Sequence, residues 1–116
     1  MITTNNITKK YGDFKAIDDL SFNVKEGEIL CLLGANGAGK STIINILLNF
    51  TLPTLGTAEI NNLDVIKNPI KTKEFLTYIP ENLMLYPTLS AVENLDYFTK
   101  LSNKTFDKQQ LSLIHI

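Results

Sequence analysis

Gly34-Ala35-Asn36-Gly37-Ala38-Gly39-Lys40-Ser41-Thr42 fits the pattern G-x-x-x-x-G-K-[ST], a phosphate-binding loop. Glycines at these spacings let backbone N–H groups turn inward around an anion. Lys40 adds a point charge that can reach the outer phosphates of a nucleotide. The Ser41 hydroxyl is placed to ligate Mg²⁺, and Thr42 to bond an inner phosphate. A helix beginning here would also aim its positive end at the anion.

The flanks suit the motif. Ile29-Leu30-Cys31-Leu32-Leu33 is a continuous apolar run, the pattern of a parallel strand buried on both faces. Ile43-Ile44-Asn45-Ile46-Leu47-Leu48 follows as an apolar helix, with the helical segment spanning 40–50 and ending before Pro53. Strand, glycine loop and helix in that order is the context the motif requires; a glycine-rich turn with an incidental lysine would not need it.

The chain has 116 residues, room for one small domain or part of a larger one. A formal net charge of −1 leaves no basic face for nucleic acid and no acidic block. The single cysteine, Cys31, falls inside the apolar run, where a small core hydrophobe is expected rather than a redox group. It permits no internal disulfide, in keeping with a reducing compartment. The first residues lack the basic and apolar regions of a signal peptide, and no apolar run is long enough to span a bilayer.

Residues 2–9 predict a first strand. Turn residues at Gly12-Asp13 lead to a second, in which Leu20, Phe22 and Val24 share one face and Ser21 and Asn23 the other. Residues 57–60 and 63–66 read as two short strands joined at the turn-prone pair Asn61-Asn62. Pro69 to Glu74 suits one helical turn, and 75–79 a short strand closed by Pro80. Thr88 to Lys100 predicts a helix, with Ser90 and Glu93 in capping-box spacing and Leu89, Val92, Leu95 and Phe98 or Thr99 on one stripe.

Three stretches resemble the ATP-binding subunit of a bacterial ABC transporter. They are I-T-K-K-Y-G-D-F-K-A-I-D-D-L-S-F-N-V-K-E-G-E-I from Ile7, the glycine loop with L-P-T-L-G-T-A-E-I from Leu52, and Y-I-P-E-N-L-M-L-Y-P-T-L-S-A-V-E-N-L from Tyr78. The resemblance implies an α/β fold: a P-loop NTPase core with an N-terminal antiparallel β layer and the start of a helical subdomain, a truncated ABC ATPase. It places Tyr11 where the family stacks an aromatic ring on adenine. It places Glu81 where most members carry a glutamine that senses the γ-phosphate through Mg²⁺ and relays to the membrane subunit. A Y-[IL]-P-E variant resembles the branch of exporters paired with ABC-2-type permeases, and a carboxylate can ligate Mg²⁺ as an amide oxygen can.

The resemblance therefore implies ATP and Mg²⁺ as ligands, an ABC-2-type membrane permease and a second nucleotide-binding subunit as partners, and a peripheral place at the cytoplasmic face of the membrane. The full-length parent would hydrolyse ATP to drive export. The L-S-G-G-Q signature, the Asp-Glu pair and the switch histidine of the family do not occur in these residues. His115 lies too early for the switch role. Taken literally, the chain is then a nucleotide-binding, non-hydrolysing fragment. A soluble ABC protein of translation or repair is a further alternative, and a P-loop GTPase or kinase would explain neither the Tyr11 hairpin nor the Glu81 segment. Residues 1–110 are expected to form the N-terminal part of the nucleotide-binding domain. Residues 111–116, Leu-Ser-Leu-Ile-His-Ile, equal the translation of a transposon end used in sequencing libraries and are expected to be a non-native tail.

Overall fold

The computed structural model describes residues 1–82 and 84–101, which fall in two compact units, Met1–Tyr78 and Ile79 onward. The expected tail at 111–116 lies outside the described residues. In the first unit, β1 (Ile2–Tyr11) and β2 (Phe14–Val24) form a hairpin, α1 (Lys40–Leu47) comes after the glycine loop, and β3 (Leu55–Ile60), β4 (Leu63–Asp64) and α2 (Pro69–Glu74) complete it. The second unit contributes α3 (Ala91–Leu101). The sheet has four strands in the order β2-β1-β3-β4, every neighbouring pair antiparallel.

β1 is central because it pairs on both edges: Thr4 lies opposite Phe22 on one side and Ala58 on the other. The pairing slips between Thr4 and Ile7 on the β2 side and between Asn5 and Thr8 on the β3 side. At the slip Asn6 and Asp19 take left-handed angles (φ 50° and 54°). Hydroxyls then replace ladder acceptors. Asn6 N–H donates to Ser21 Oγ at 2.7 Å, Phe22 N–H to Thr4 Oγ1 at 3.0 Å, and Asp19 N–H to Thr8 Oγ1 at 3.1 Å. The buried threonines thus bring their own partners, as buried polar groups must. Gly56 crosses the bulge at φ 86°, where a Cβ would stand 2.4 Å from the Asn6 carbonyl oxygen.

α1 lies on the sheet through Ile43 and Ile46, buried with Ile7, Ile17, Ala58, Ile60 and Val65. Burying each isoleucine contributes roughly 1.5–3 kcal/mol, which holds the helix start in place beneath the glycine loop. Leu20, Phe22 and Val24 face inward and Ser21 and Asn23 outward, as their alternation requires. Asn61 and Asn62 are both left-handed (φ 48° and 62°), the geometry of a two-residue hairpin turn.

Five expectations are corrected. Residues 29–33 form no strand and are exposed, with Ile29 and Leu33 each over 90% accessible. An apolar run becomes a buried parallel strand only when neighbours pair with both its edges, and no strand among the described residues pairs with it. Cys31 is consequently exposed rather than a core residue. Residues 75–79 form no strand for the same reason, and β4 stops at Asp64 because the Asp64 carboxylate accepts from Ile66 and Lys67 N–H (2.8 and 3.0 Å), which turns the chain. On α3, Val92, Leu95 and Phe98 are each about 40% exposed, so the apolar stripe is no core face. The buried residue of α3 is Asn94.

α3 starts as its spacing predicts: Ser90 Oγ accepts from Glu93 N–H at 3.3 Å, and Glu93 accepts from Ser90 N–H at 2.7 Å. The Ser90 hydroxyl, then the Ser90 N–H, hold the Glu93 carboxyl below the ordinary glutamate range. A depressed pKa stabilises above the unfolded value and loses that contribution as pH falls through the folded one. Acidification through the lowered Glu93 pKa should accordingly reduce the protection of amides in the first turn of α3, measured against their intrinsic exchange at the same pH, and Glu93→Gln should flatten that pH dependence. An equal pH response in both proteins would show that the box does not hold the helix start.

Candidate functional site

Between β2 and α1 the chain turns through Asn36 and Gly37, and Ala38 N–H closes a turn onto Ala35 O at 3.1 Å. Gly37 and Gly39 are left-handed (φ 84° and 88°). At Gly39, the N-cap of α1, two constraints coincide: a positive φ and contact with β2, since a Cβ there would stand 2.3 Å from the Ala16 carbonyl oxygen. The glycine is thus required by the sheet as well as by any ligand.

The first helical bond runs from Ile43 N–H to Gly39 O at 3.0 Å. Helix geometry therefore leaves the N–H groups of Lys40, Ser41 and Thr42 without an acceptor one turn back. The first turn holds no acidic side chain, so no carboxylate of the helix offsets its positive end. The Lys40 ammonium donates to the carbonyls of Gly34 and Ala35, the latter at 2.8 Å, so the cation sits within the loop. The Ser41 side chain is exposed and Thr42 half-buried. A cavity of about 260 Å³ opens beside Ala38, Gly39 and Lys40, walled on the other side by Ala16, Ile17 and Asp18 of β2.

This arrangement suits an anion: backbone donors at a helix start, an ammonium, and no carboxylate in the helix's first turn, while Asp18 across the cavity is paired with Lys15 at 2.8 Å. It also suits Mg²⁺. That ion keeps several waters and is commonly held by few protein oxygens plus substrate phosphates. The Ser41 hydroxyl is the oxygen this loop offers such an ion, and no group of three or more His, Cys, Asp or Glu gathers among the described residues.

Tyr11 ends β1 at the hairpin tip, where Gly12 turns at φ 59° and leaves the ring half exposed. Tyr11 and residues 34–42 all belong to the first unit, whereas Glu81 is an exposed residue of the second. In the second unit Asn94 organises the loop that leads into α3. Its amide accepts from Tyr86 N–H at 2.8 Å and donates to the carbonyls of Tyr86, Leu89 and Ser90, each at 3.1 Å. A polar residue in the first turn of a helix reads as surface in a sequence; its burial depends on a loop folding back over it.

The sequence pattern of the ABC transporter family matches residues 17–115. The chain belongs to the ABC transporter family. It is 39% identical over 99 residues to the probable multidrug ABC transporter ATP-binding protein YbhF of Escherichia coli K12, covering 85% of this chain and 17% of that one. A solved ATP-binding subunit of an ABC transporter superposes with a TM-score of 0.74 at 30% identity, over 86% of this chain and 42% of the other. The ATP-binding cassette MJ0796, solved as a dimer in a post-hydrolysis state bound to ADP and Pi, gives 0.71 at 26% identity, over 95% of this chain and 52% of that one. The chain thus carries the N-terminal portion of the ABC ATPase fold, and it spans about 17–34% of the length of curated relatives it matches. Among the described residues no helix is long and apolar enough to cross a membrane.

Replacing Gly39 tests whether β2 and the loop share one constraint. Gly39→Ala should lower unfolding free energy by about 1–3 kcal/mol in urea titration, the usual cost of a strained backbone position. A loss below about 0.5 kcal/mol would mean that the loop can lift from Ala16 freely.

Proposed function

We propose that the chain binds ATP with Mg²⁺ as the nucleotide-binding portion of an ABC transporter ATPase subunit. The observation that carries this is the loop itself: a left-handed glycine cap, unpaired N–H groups at the start of α1, and the Lys40 ammonium turned into the loop. Backbone donors from Gly34, Ala35, Asn36, Gly37, Ala38 and Gly39 would cradle the β- and γ-phosphates, Ala38 by giving up its turn bond to Ala35 O, and Lys40 would exchange carbonyl contacts for phosphate oxygens. The exchange is favoured because a phosphate oxygen carries net charge and a carbonyl only a dipole. Thr42 would reach an inner phosphate. Ser41 would ligate the Mg²⁺, which when bound offsets charge on the phosphate oxygens, and Glu81 would act as a ligand or a coupling residue. Tyr11 would offer one ring face to adenine, a contact driven by area and quadrupole rather than charge.

Residues 1–110 would form the N-terminal part of the domain. For the parent protein we propose ATP hydrolysis coupled to export, with an ABC-2-type permease and a second nucleotide-binding subunit as partners at the cytoplasmic face of the membrane. The multidrug function in the name of the YbhF relative and the dimeric state of the MJ0796 cassette support that direction. For these 116 residues alone, binding without turnover is the reading favoured, since the acidic pair that would polarise the attacking water is not among them.

Calorimetric titration of the 116-residue chain with MgATP tests both parts. Saturable binding should weaken about tenfold or more in Lys40→Ala, the effect of losing a charged hydrogen bond, and a phosphate-release assay should stay at background. Unchanged affinity in Lys40→Ala would refute the site, and Lys40-dependent turnover would refute binding without hydrolysis.

A further inference from the structure

Lys9 occupies a position that the nucleotide loop does not explain. It lies half-buried on β1, and its ammonium stands 4.9 Å from the centroid of the Tyr11 ring. The same ammonium donates to the carbonyl of Leu52 at 2.7 Å, in the loop that leaves α1. Two further bonds fasten that loop to the strand: Thr54 N–H donates to Thr8 O at 2.8 Å and Lys10 N–H to Thr54 Oγ1 at 3.0 Å. Lys9 thereby joins the hairpin-tip aromatic ring to the segment on the far side of the phosphate-loop helix.

We propose that Lys9 is a positioning residue for the base-stacking ring of Tyr11. This rests on the assignment of Tyr11 to adenine. The geometry has two effects. The ammonium covers one face of the ring and leaves the other for a base, so the ring presents a single stacking surface. A cation on the covered face also draws electron density from the ring, which lessens its repulsion of an electron-rich purine on the open face. The bond to Leu52 fixes the ammonium, and so holds the ring's orientation relative to the loop after α1.

The experiment compares binding of MgATP with that of magnesium tripolyphosphate, which has the phosphates and lacks the base, in the 116-residue chain. The ratio of the two affinities isolates the base contact. Lys9→Met keeps the aliphatic stem and removes the charge; it should lower the ratio about two- to fivefold, the size of an exposed cation–π contact. Lys9→Arg should retain the ratio, and in a Tyr11→Ala background Lys9→Met should lower it no further. Tyr11→Ala without effect on the ratio would remove the adenine assignment and this inference with it. If Tyr11→Ala lowers the ratio while Lys9→Met leaves it unchanged, or if Lys9→Arg behaves as Lys9→Met, the Lys9 inference alone is overturned.

Discussion

The contact between Gly39 and the carbonyl of Ala16 is the constraint on which the rest depends. Because no Cβ fits there, the glycine loop can lie directly on β2. Because the loop lies on β2, α1 begins over the sheet, and Ile43 and Ile46 reach the core beside Ile7 and Ile17. The helix start, with its unpaired N–H groups, is then fixed in space by apolar packing one turn further on. Anion binding by backbone dipoles needs such rigidity, since donors already aimed at a ligand need not be ordered when it arrives.

The sheet meets a second demand. β1 must pair with β2 and β3 at once while both ladders slip near its middle. Thr4, Thr8 and Ser21 supply hydroxyl oxygens where ladder carbonyls are lost, and Asn6 donates to the Asp19 carboxylate at 2.7 Å across the kink. The bulge leaves the far end of the hairpin free to project Tyr11 beyond the core, tied back through Lys9 and Thr54. A polar-looking first strand is therefore the middle of the sheet, held by side chains that composition alone would assign to a surface.

How legible this was depends on where the constraint lies. The glycine loop, the Asn61-Asn62 turn and the Ser90–Glu93 box were readable because each is local: the residues that need the geometry supply it. The hydroxyls at the bulge, the buried Asn94 and the Lys9 contact with Tyr11 were not, because each depends on a segment brought close only by folding. The run at 29–33 misled in the opposite direction. Its apolarity specifies what its faces require, and leaves open whether another strand lies alongside it. The phosphate end of the proposed site was thus written in nine consecutive residues, while the support beneath it was spread over two strands and a loop.

The central claim is that backbone amides at the start of α1 meet the phosphate tail of a nucleotide. Nitrogen–proton correlation NMR of the labelled chain during titration with MgATP observes those amides one by one. The claim predicts saturable shifts at Gly37, Gly39, Lys40 and Ser41, reproduced by magnesium tripolyphosphate, with Tyr11 responding to ATP alone. Saturable shifts elsewhere with residues 34–42 unmoved, or no response of these amides to either ligand, would contradict it.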